Sequence, residues 1–225
     1  MTQKSILEIK NLNVSLGGEK VLEDIDFSLE EKEILVILGP NGAGKTVLLR
    51  TLLGLLRYQG EISWREDLKI GYVPEGLSAP KNLPLSVREF FGFKNSSHEK
   101  MLEALSWVGM KDQNLLEHRL DALSFGQFKR ILIAWALVDA PQVLLLDEPL
   151  IGLDIHGRET IYDSLVRLWQ KKGQTIILVS HEIGEVCKKA DRVLALNKKI
   201  LFYGSPEEVV TPSNLGKIYG YSISL

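Results

Sequence analysis

Eight consecutive residues, Gly39–Thr46 (GPNGAGKT), have the types and spacing of a phosphate-binding loop. Glycines let the main chain turn tightly, so that its N–H groups point at phosphate oxygens, and a helix beginning at Lys45 adds the positive end of its dipole. The Lys45 ammonium can reach the terminal phosphates of a nucleotide, and the Thr46 hydroxyl can ligate Mg²⁺. The sequence therefore predicts an ATP site whose contacts are Gly39, Pro40, Asn41, Gly42, Ala43, Gly44, Lys45 and Thr46.

Two acidic residues, Asp147 and Glu148, follow the apolar run Val143–Leu146. Asp147 is placed to hold magnesium through its hydration shell, and Glu148 could polarise an attacking water. Because Pro149 comes next, the two acids also suit an ordinary capped turn. The pair alone leaves both interpretations open, and the phosphate loop favours the catalytic one.

Two further motifs could face a nucleotide. His181 follows the run Thr175–Val179 and could contact the γ-phosphate, although a lone histidine at a strand end is more often a turn or core residue. In Leu123–Gln127 (LSFGQ), Ser124 and Gly126 precede a helix predicted over Phe128–Val138, whose start can bind an anion. An ordinary capped helix has the same residues. A second anion site makes sense if it serves the nucleotide of another copy.

Buried strands must position these residues. Ile34–Leu38, Val143–Leu146 and Thr175–Val179 are continuous apolar runs, as in strands that are buried on both faces. Helical periodicity over Gly157–Lys172 separates the last two, and strand–helix–strand order implies parallel strands. Polar residues at the carboxyl ends of such strands line the ligand crevice of an open α/β sheet. The sequence therefore predicts an α/β fold.

The remaining segments differ in pattern. Near the start, ILEIK, NLNVSL and IDFSL alternate polar and apolar residues, as half-buried antiparallel strands do. The stretch Leu77–Ala134 opens with Pro80 and Pro84 and then has the pattern of short helices, such as His98–Val108, which predicts an inserted helical subdomain. A helix is predicted over Lys45–Leu56, and the tail from Arg192 gives two short strands (VLAL and ILFY) and a polar segment.

Composition limits the class of protein. The chain has 225 residues, of which 45% are hydrophobic and 25% charged, as in ordinary globular proteins. A single cysteine, Cys187, suits a reducing compartment, and the formal charge of −2 gives no sign of a nucleic acid partner. The start lacks a secretion signal, and the longest apolar stretch, Ile131–Val138, is too short to span a bilayer. We expect a cytoplasmic protein that reaches a membrane only by docking onto another protein.

In their order, GPNGAGKT, LSFGQ, VLLLDEP, IGLD and His181 resemble the ATP-binding subunit of an ABC transporter, and the resemblance covers essentially the whole chain. It implies a single ABC ATPase domain over residues 1–225. The nucleotide-binding core would be a P-loop NTPase (RecA-like) α/β fold over residues 1–76 and 135–225, with an N-terminal antiparallel β subdomain. Residues 77–134 would form the helical subdomain that carries the LSFGQ signature.

The resemblance also implies partners and roles. Two copies would bind two ATP molecules head to tail, each between the phosphate loop of one copy and the signature of the other. The dimer would lie peripherally on the cytoplasmic side of the cell membrane, on an integral-membrane permease served by an extracellular substrate-binding protein, without nucleic acid. The implied catalytic residues are Lys45, Glu148 and His181, the Mg²⁺ ligands Thr46, Asp147 and Glu75, and further ATP contacts Leu16, Ser124, Phe125, Gly126 and Gln127. Asp154 would belong to the loop that crosses the dimer interface.

Four positions depart from the family pattern. Leu16 stands where an aromatic side chain stacks on adenine, which predicts weak adenine discrimination unless another aromatic side chain substitutes. Glu75 replaces a glutamine, and because a carboxylate repels a γ-phosphate without a metal between them, we expect a steep dependence on Mg²⁺. Phe125 replaces a signature glycine, which we expect to be tolerated. Ile151 replaces a small, often hydroxyl-bearing residue of the loop before Asp154, from which we expect altered communication across the dimer.

The tail GSPEEVVTPSNLGKIYG is similar to that of ATPases from importers of zinc, manganese or iron chelates. The segment Glu75–Phe93 is expected to meet the membrane subunit. Two alternatives stay open: a nucleotide-dependent binding module that hydrolyses ATP poorly, and the ATPase of an exporter. Soluble ABC proteins that act on nucleic acid or ribosomes usually have tandem ATP domains or a long coiled-coil insertion, which this chain lacks.

Overall fold

The chain contains both strands and helices, and a computed structural model describes them over residues 5–79, 84–181, 187 and 189–220. Pro80, where the helical insert was expected to open, lies outside these ranges. The strands are β1 (Ser5–Leu16), β2 (Glu19–Glu30), β3 (Ile34–Leu38), β4 (Gln59–Trp64), β5 (Ile70–Val73), β6 (Val143–Asp147), β7 (Thr175–Val179), β8 (Arg192–Asn197) and β9 (Lys199–Gly204). The main helices are α1 (Lys45–Leu52), α2 (Val87–Gly92), α3 (His98–Trp107), α4 (Phe125–Leu137) and α5 (Ile155–Lys172).

The chain divides into two compact units. The first comprises Met1–Leu68 and Thr175–Leu225, and the second comprises Lys69–Gln174. The predicted division into a core (residues 1–76 and 135–225) and a helical insert (residues 77–134) stays a prediction.

The first unit contains a three-stranded antiparallel sheet with the order β2-β1-β4. Strands β1 and β2 largely alternate buried and exposed residues, as predicted. The segments ILEIK and NLNVSL, expected as separate strands, are both part of β1, in which the register shifts around Asn11. Asn11 has a positive φ of 49°, a local irregularity that keeps one strand continuous.

Four more strands of the first unit, β3, β7, β8 and β9, pair with one another. Strand β3 lies between β7 and β8 and is parallel to both, and β9 pairs antiparallel with β8. Every residue of β3 and β7 is buried, which confirms the prediction from their continuous apolar runs. The phosphate loop follows β3 directly, and α1 begins at Lys45 as predicted.

Two local predictions for the first unit were wrong. Helix α1 ends at Leu52 instead of Leu56, because Gly54 adopts a positive φ of 71° that ends the helical path. The tail after β9, expected as a polar segment, contains two short helices, Pro206–Val209 and Pro212–Tyr219. Each helix has proline in its first turn directly after a serine or threonine, which is a helix-start pattern visible in the sequence.

The second unit pairs β5 and β6 in parallel and is otherwise mainly helical. It also has two 3₁₀ helices, Gln113–Glu117 and Leu120–Ala122. Helices α4 and α5 begin three and two residues before their predicted starts, since Ser124 and Asp154 act as N-caps. Within the described part of the chain, no helix combines the length and apolar character that a bilayer crossing requires.

Candidate functional site

The phosphate loop joins the end of β3 to the start of α1. A Cβ atom at Gly39 would lie 2.2 Å from the Leu196 carbonyl oxygen, and one at Gly44 would lie 2.7 Å from Leu22 Cδ2. Gly44 also has a φ of 96°, which L side chains rarely adopt, so both positions require glycine. Asn41 and Gly42 are exposed at the tip of the loop, and Ala43 beneath them is buried. The loop is therefore a compact cradle with its tip open to solvent.

Lys45 is folded back against this loop. Its side chain is buried, with 8% of the residue exposed, and Nζ donates hydrogen bonds to the carbonyl oxygens of Gly39 at 2.8 Å and Pro40 at 3.1 Å. The first turn of α1 contains no acidic residue, so the positive end of the helix dipole is not offset by a carboxylate there. The first N–H groups of a helix have no intrahelical partner. An anion over the loop would meet these groups and an ammonium that is already in place.

His181 ends up at the same edge as the phosphate loop. Val179 pairs with Ile37, and the Ser180 N–H donates to the Ile37 carbonyl at 3.1 Å. His181 thus leaves β7 where Gly39 leaves β3, and its contact with a terminal phosphate stays a prediction. The side chain is exposed.

Leu16 lies at the end of the β1–β2 hairpin. It pairs with Glu19 across a two-residue turn, in which Gly17 and Gly18 have φ values of 57° and 87°. Such a turn needs positive φ at both positions. The hairpin continues into Val21, whose carbonyl oxygen would lie 3.1 Å from a Cβ at Gly44. Leu16 therefore lies on the same hairpin that reaches the start of α1 at Val21, and it is 42% exposed.

In the second unit, Asp147 and Glu148 occupy different backbone environments. Asp147 is the last residue of β6 and is fully buried. Glu148 is also buried but has a positive φ of 50°. This conformation is unfavourable for a residue with a bulky side chain and for a residue that precedes proline. Its carbonyl oxygen accepts the Ile151 N–H at 3.3 Å and closes a turn. Strained residues of this kind cluster at active sites.

The signature residues form the first turn of α4 rather than a loop before it. Ser124 is the N-cap: its Oγ accepts the Gln127 N–H at 3.2 Å, and the Gln127 Oε1 accepts the Ser124 N–H at 2.8 Å. This reciprocal pair is a capping box. Gly126 packs tightly, because a Cβ there would lie 3.3 Å from Leu153 Cδ2. The predicted helix start is therefore present and capped, and anion binding there stays a prediction.

Phe125 packs against the loop that follows β6. A Cβ at Gly152 would lie 2.9 Å from Phe125 Cε1, so the ring lies directly on the glycine. Phe125 is nevertheless 41% exposed. In the same loop Ile151 is exposed, and Asp154 caps α5 by accepting the Gly157 N–H at 2.8 Å. Asp154 thus stabilises the first turn of α5.

Lys129 is a residue that the sequence reasoning missed. It lies on α4, is only 1% exposed, and its Nζ donates to the Glu148 carbonyl oxygen at 3.3 Å. Burial lowers the pKa of its ammonium, whereas the carboxylates of Glu75, Glu148 and Asp147 favour the charged form. Glu75 itself is exposed in the turn after β5. The sequence did contain a signal of this burial, because Lys129 lies in helical register with the apolar residues Leu132, Ile133 and Ala136, which are buried.

The residues suit ATP and magnesium by their chemistry. Glycine at positions 39 and 44 lets the loop pack directly against Leu196 and Leu22, and Lys45 supplies a cation beside the loop. The Thr46 hydroxyl and the buried Asp147 carboxylate are oxygen donors, which Mg²⁺ prefers. Across the described residues, no three His, Cys, Asp or Glu side chains form a cluster ready to hold a metal ion. Magnesium is commonly held by one or two carboxylates together with substrate phosphates.

Comparisons with known proteins agree with this chemistry. A family model described as ABC transporter matches residues 22–151. The zinc import ATP-binding protein ZnuC of Pseudomonas aeruginosa is 36% identical over 218 residues, covering 96% of this chain and 80% of that protein. Its namesake in Yersinia enterocolitica is 38% identical, with 96% and 86% covered.

Solved structures give the same result. One described as a metal-chelate type ABC transporter in an inward-facing conformation has a TM-score of 0.84 at 27% identity, with 96% of this chain and 89% of that chain covered. Another, cbiO1 of Clostridium perfringens, described as part of the ABC transporter complex cbiONQ, has a TM-score of 0.80 at 30% identity, with 96% and 94% covered. The predicted P-loop NTPase fold and ATPase function are thereby confirmed, and the chain belongs to the ATP-binding subunits of ABC transporters.

Proposed function

We propose that this chain hydrolyses ATP to power the import of a metal ion or metal chelate, with zinc as the first cargo to test. The observation that carries the cargo is the similarity, over 96% of the chain, to proteins named as zinc import ATP-binding proteins. A solved structure described as a metal-chelate type transporter supports the same class of cargo.

In the proposed reaction the phosphate loop and Lys45 bind the phosphates of ATP, and Glu148 accepts a proton from the attacking water. His181 orients that water against the γ-phosphate. Thr46 and Asp147 would hold Mg²⁺, which neutralises the charge that develops on the phosphate oxygens. The placement of Lys45 on the loop and of His181 at the same strand edge supports these roles.

Glu75 is proposed as the remaining metal ligand, and Leu16 as the residue beneath the adenine. Both side chains are exposed and so are accessible to a ligand from solvent. Leu16 supplies a smaller apolar surface than an aromatic ring, so the base contributes less to binding.

A second copy of the chain is proposed to complete each ATP site with Ser124, Phe125, Gly126 and Gln127. Apolar side chains near this surface support the assignment, because Phe125, Ile151 and Ile155 are all exposed and Ile155 is 78% exposed. Apolar groups of this size, close together on a surface, mark an interface. The single domain over residues 1–225, with its helical part at 77–134, is proposed as the unit that dimerises.

The membrane partner is proposed to be an integral-membrane permease, served by an extracellular substrate-binding protein, with the ATPase bound peripherally on the cytoplasmic side. The docking surface is assigned to residues 75–93, of which 80–83 lie outside the described ranges. Phe93 is 70% exposed and Leu77 is also exposed, which supplies apolar contact area. No nucleic acid partner is proposed.

The test is transport by the whole complex in sealed vesicles, with the chain co-expressed with its permease. Wild type is compared with Glu148→Gln and with Glu207→Gln, an exposed glutamate in the first unit that serves as the control. We expect ATP turnover and zinc uptake to fall at least about 100-fold in Glu148→Gln and to be unchanged in Glu207→Gln.

A different result would contradict each of the three parts of the proposal: hydrolysis, the direction of transport and the cargo. Equal and negligible turnover in wild type and Glu148→Gln would show a nucleotide-dependent binding module instead. Active turnover with zinc moving outward would show an exporter. Active turnover that no metal or chelate stimulates would refute the cargo and leave the ATPase assignment standing.

A further inference from the structure

Lys129 is a charged residue in an interior position. It is the fifth residue of α4 and lies among buried apolar neighbours of the same helix, such as Leu132 and Ile133. Lysine is almost never fully buried unless its ammonium is paired, because removing the charge from water is costly. A buried apolar side chain such as methionine would fill the same space without that cost. The ammonium therefore needs a reason that packing alone does not give.

The ammonium is directed at the main chain of Glu148. Nζ donates to the Glu148 carbonyl oxygen at 3.3 Å, and the Ile151 N–H donates to the same oxygen at 3.3 Å. Glu148 has a φ of 50° and is followed by Pro149, a combination that the chain does not adopt without support. A cation that holds the carbonyl oxygen fixes the orientation of that peptide group, and with it the direction in which the Glu148 side chain leaves the backbone.

Phe125 covers this contact. It lies one helical turn before Lys129, and its ring centroid is 5.5 Å from Nζ, within the range of a cation–π interaction. The same ring rests on Gly152, four residues beyond Glu148. Helix α4 is therefore joined to the loop after β6 at two points, by Lys129 at Glu148 and by Phe125 at Gly152.

We propose that Lys129 is a positioning residue, which holds the main chain of Glu148 in its left-handed conformation and so aims the Glu148 carboxylate for hydrolysis. This inference rests on the proposed function, in which Glu148 accepts the proton of the attacking water. Lys129 touches neither ATP nor water in this role. Its variants should therefore change the rate of the chemical step and leave nucleotide binding unchanged.

The first test compares Lys129→Met, which keeps the length and volume of the side chain but has no donor, with Lys129→Arg, which keeps a cationic donor. Lys111→Met, at an exposed position of the same unit, is the matched control. In the complex with its permease, we expect Lys129→Met to lower kcat about 10- to 100-fold and to change KM for ATP by less than about twofold. Lys129→Arg should recover much of kcat, and Lys111→Met should match wild type.

A second test needs no turnover. In the chain without nucleotide, labelled with ¹³C and ¹⁵N, the backbone carbonyl resonance of Glu148 should move in Lys129→Met and stay in place in Lys111→Met. Resonances of the phosphate loop should be unchanged in both variants. This measurement reports on the geometry of Glu148 even where Arg does not fit the buried site.

The two tests separate the positioning role from the proposed function. Wild-type turnover with a Lys129→Met kcat within about twofold of it would overturn the positioning role and leave the ATPase intact. A fall in kcat with an equal rise in KM and an unmoved Glu148 carbonyl resonance would also overturn it, since a general structural defect gives that pattern. Absence of turnover in wild type would refute the proposed function, and the carbonyl resonance would still decide whether Lys129 holds Glu148.

Discussion

Gly152→Ala is expected to destabilise the chain for two separable reasons. Gly152 has a φ of 76°, and an L residue in that region costs about 1–2 kcal/mol. The new Cβ would lie 2.9 Å from Phe125 Cε1 and 3.4 Å from Cζ, so the ring must move from its place. Overpacking of this kind adds about 1–3 kcal/mol. The expected total is therefore about 2–5 kcal/mol in the free energy of unfolding.

Gly76→Ala isolates the first of these costs. Gly76 belongs to the same unit and has a φ of 75°, but a Cβ there would meet nothing within 4 Å. It should cost about 1–2 kcal/mol, which is the backbone cost alone. The difference between the two glycine variants then measures the clash with Phe125.

A double-mutant cycle with Phe125→Ala tests whether the ring is the cause. Urea unfolding of the isolated chain, followed by circular dichroism, gives the free energy of unfolding for wild type, both single variants and the double variant. Once the ring is removed, Gly152→Ala should cost only its backbone strain, which gives a coupling energy of about 1–3 kcal/mol. Additivity within about 0.5 kcal/mol would show that Phe125 does not rest on Gly152, and the reasoning would be refuted.

Three further results are expected. Leu16→Tyr should strengthen ATP binding about 5- to 150-fold and raise the preference for ATP over GTP, because an aromatic ring can stack on adenine; a strong preference for ATP in wild type would contradict the premise. Glu75→Gln should make turnover depend less steeply on Mg²⁺, and an unchanged dependence in titrations of MgCl₂ would disprove the role of that carboxylate. Burial raises the pKa of the Cys187 thiol from 9.0 to about 11, so the native protein should react slowly with a thiol reagent at pH 8. Because the thiolate is disfavoured in the folded chain, stability should fall as the pH rises from 9 through 11, and Cys187→Ala should lack this component; fast labelling of the native protein would contradict the burial.

Local patterns were enough to predict the phosphate loop and the strands beside it. Five apolar residues in Ile34–Leu38 followed by a glycine-rich loop leave few alternatives, and the structure buries all five. The early start of α4 could also have been found, because Ser124 and Gln127 have the spacing of a capping box. The same spacing recurs at Ser205 and Glu208, at the start of a tail helix that the sequence reasoning did not predict.

Other features depend on contacts between distant residues and could not be read locally. The pattern of α4 shows a lysine at position 129 but not the carbonyl of Glu148, 19 residues later, that accepts its hydrogen bond. The positive φ of Glu148 is equally hidden, since neither glutamate nor a following proline favours it. Tertiary structure imposes both the Lys129 hydrogen bond and the positive φ of Glu148, and both features belong to the main chain of the same residue.

Two departures from the family pattern, Glu75 and Phe125, are connected through Lys129. Phe125 covers its ammonium, and Glu75 is first among the three carboxylates that favour its charge, ahead of Glu148 and Asp147. Lys129 carries one positive charge, so it offsets only part of the negative charge of these three carboxylates. With glutamine at position 75 the group would carry one negative charge fewer, and its demand for a cation would weaken. The steep magnesium dependence expected from Glu75 thus follows from the charge balance of the whole group, since Lys129 offsets only part of what Glu75 adds.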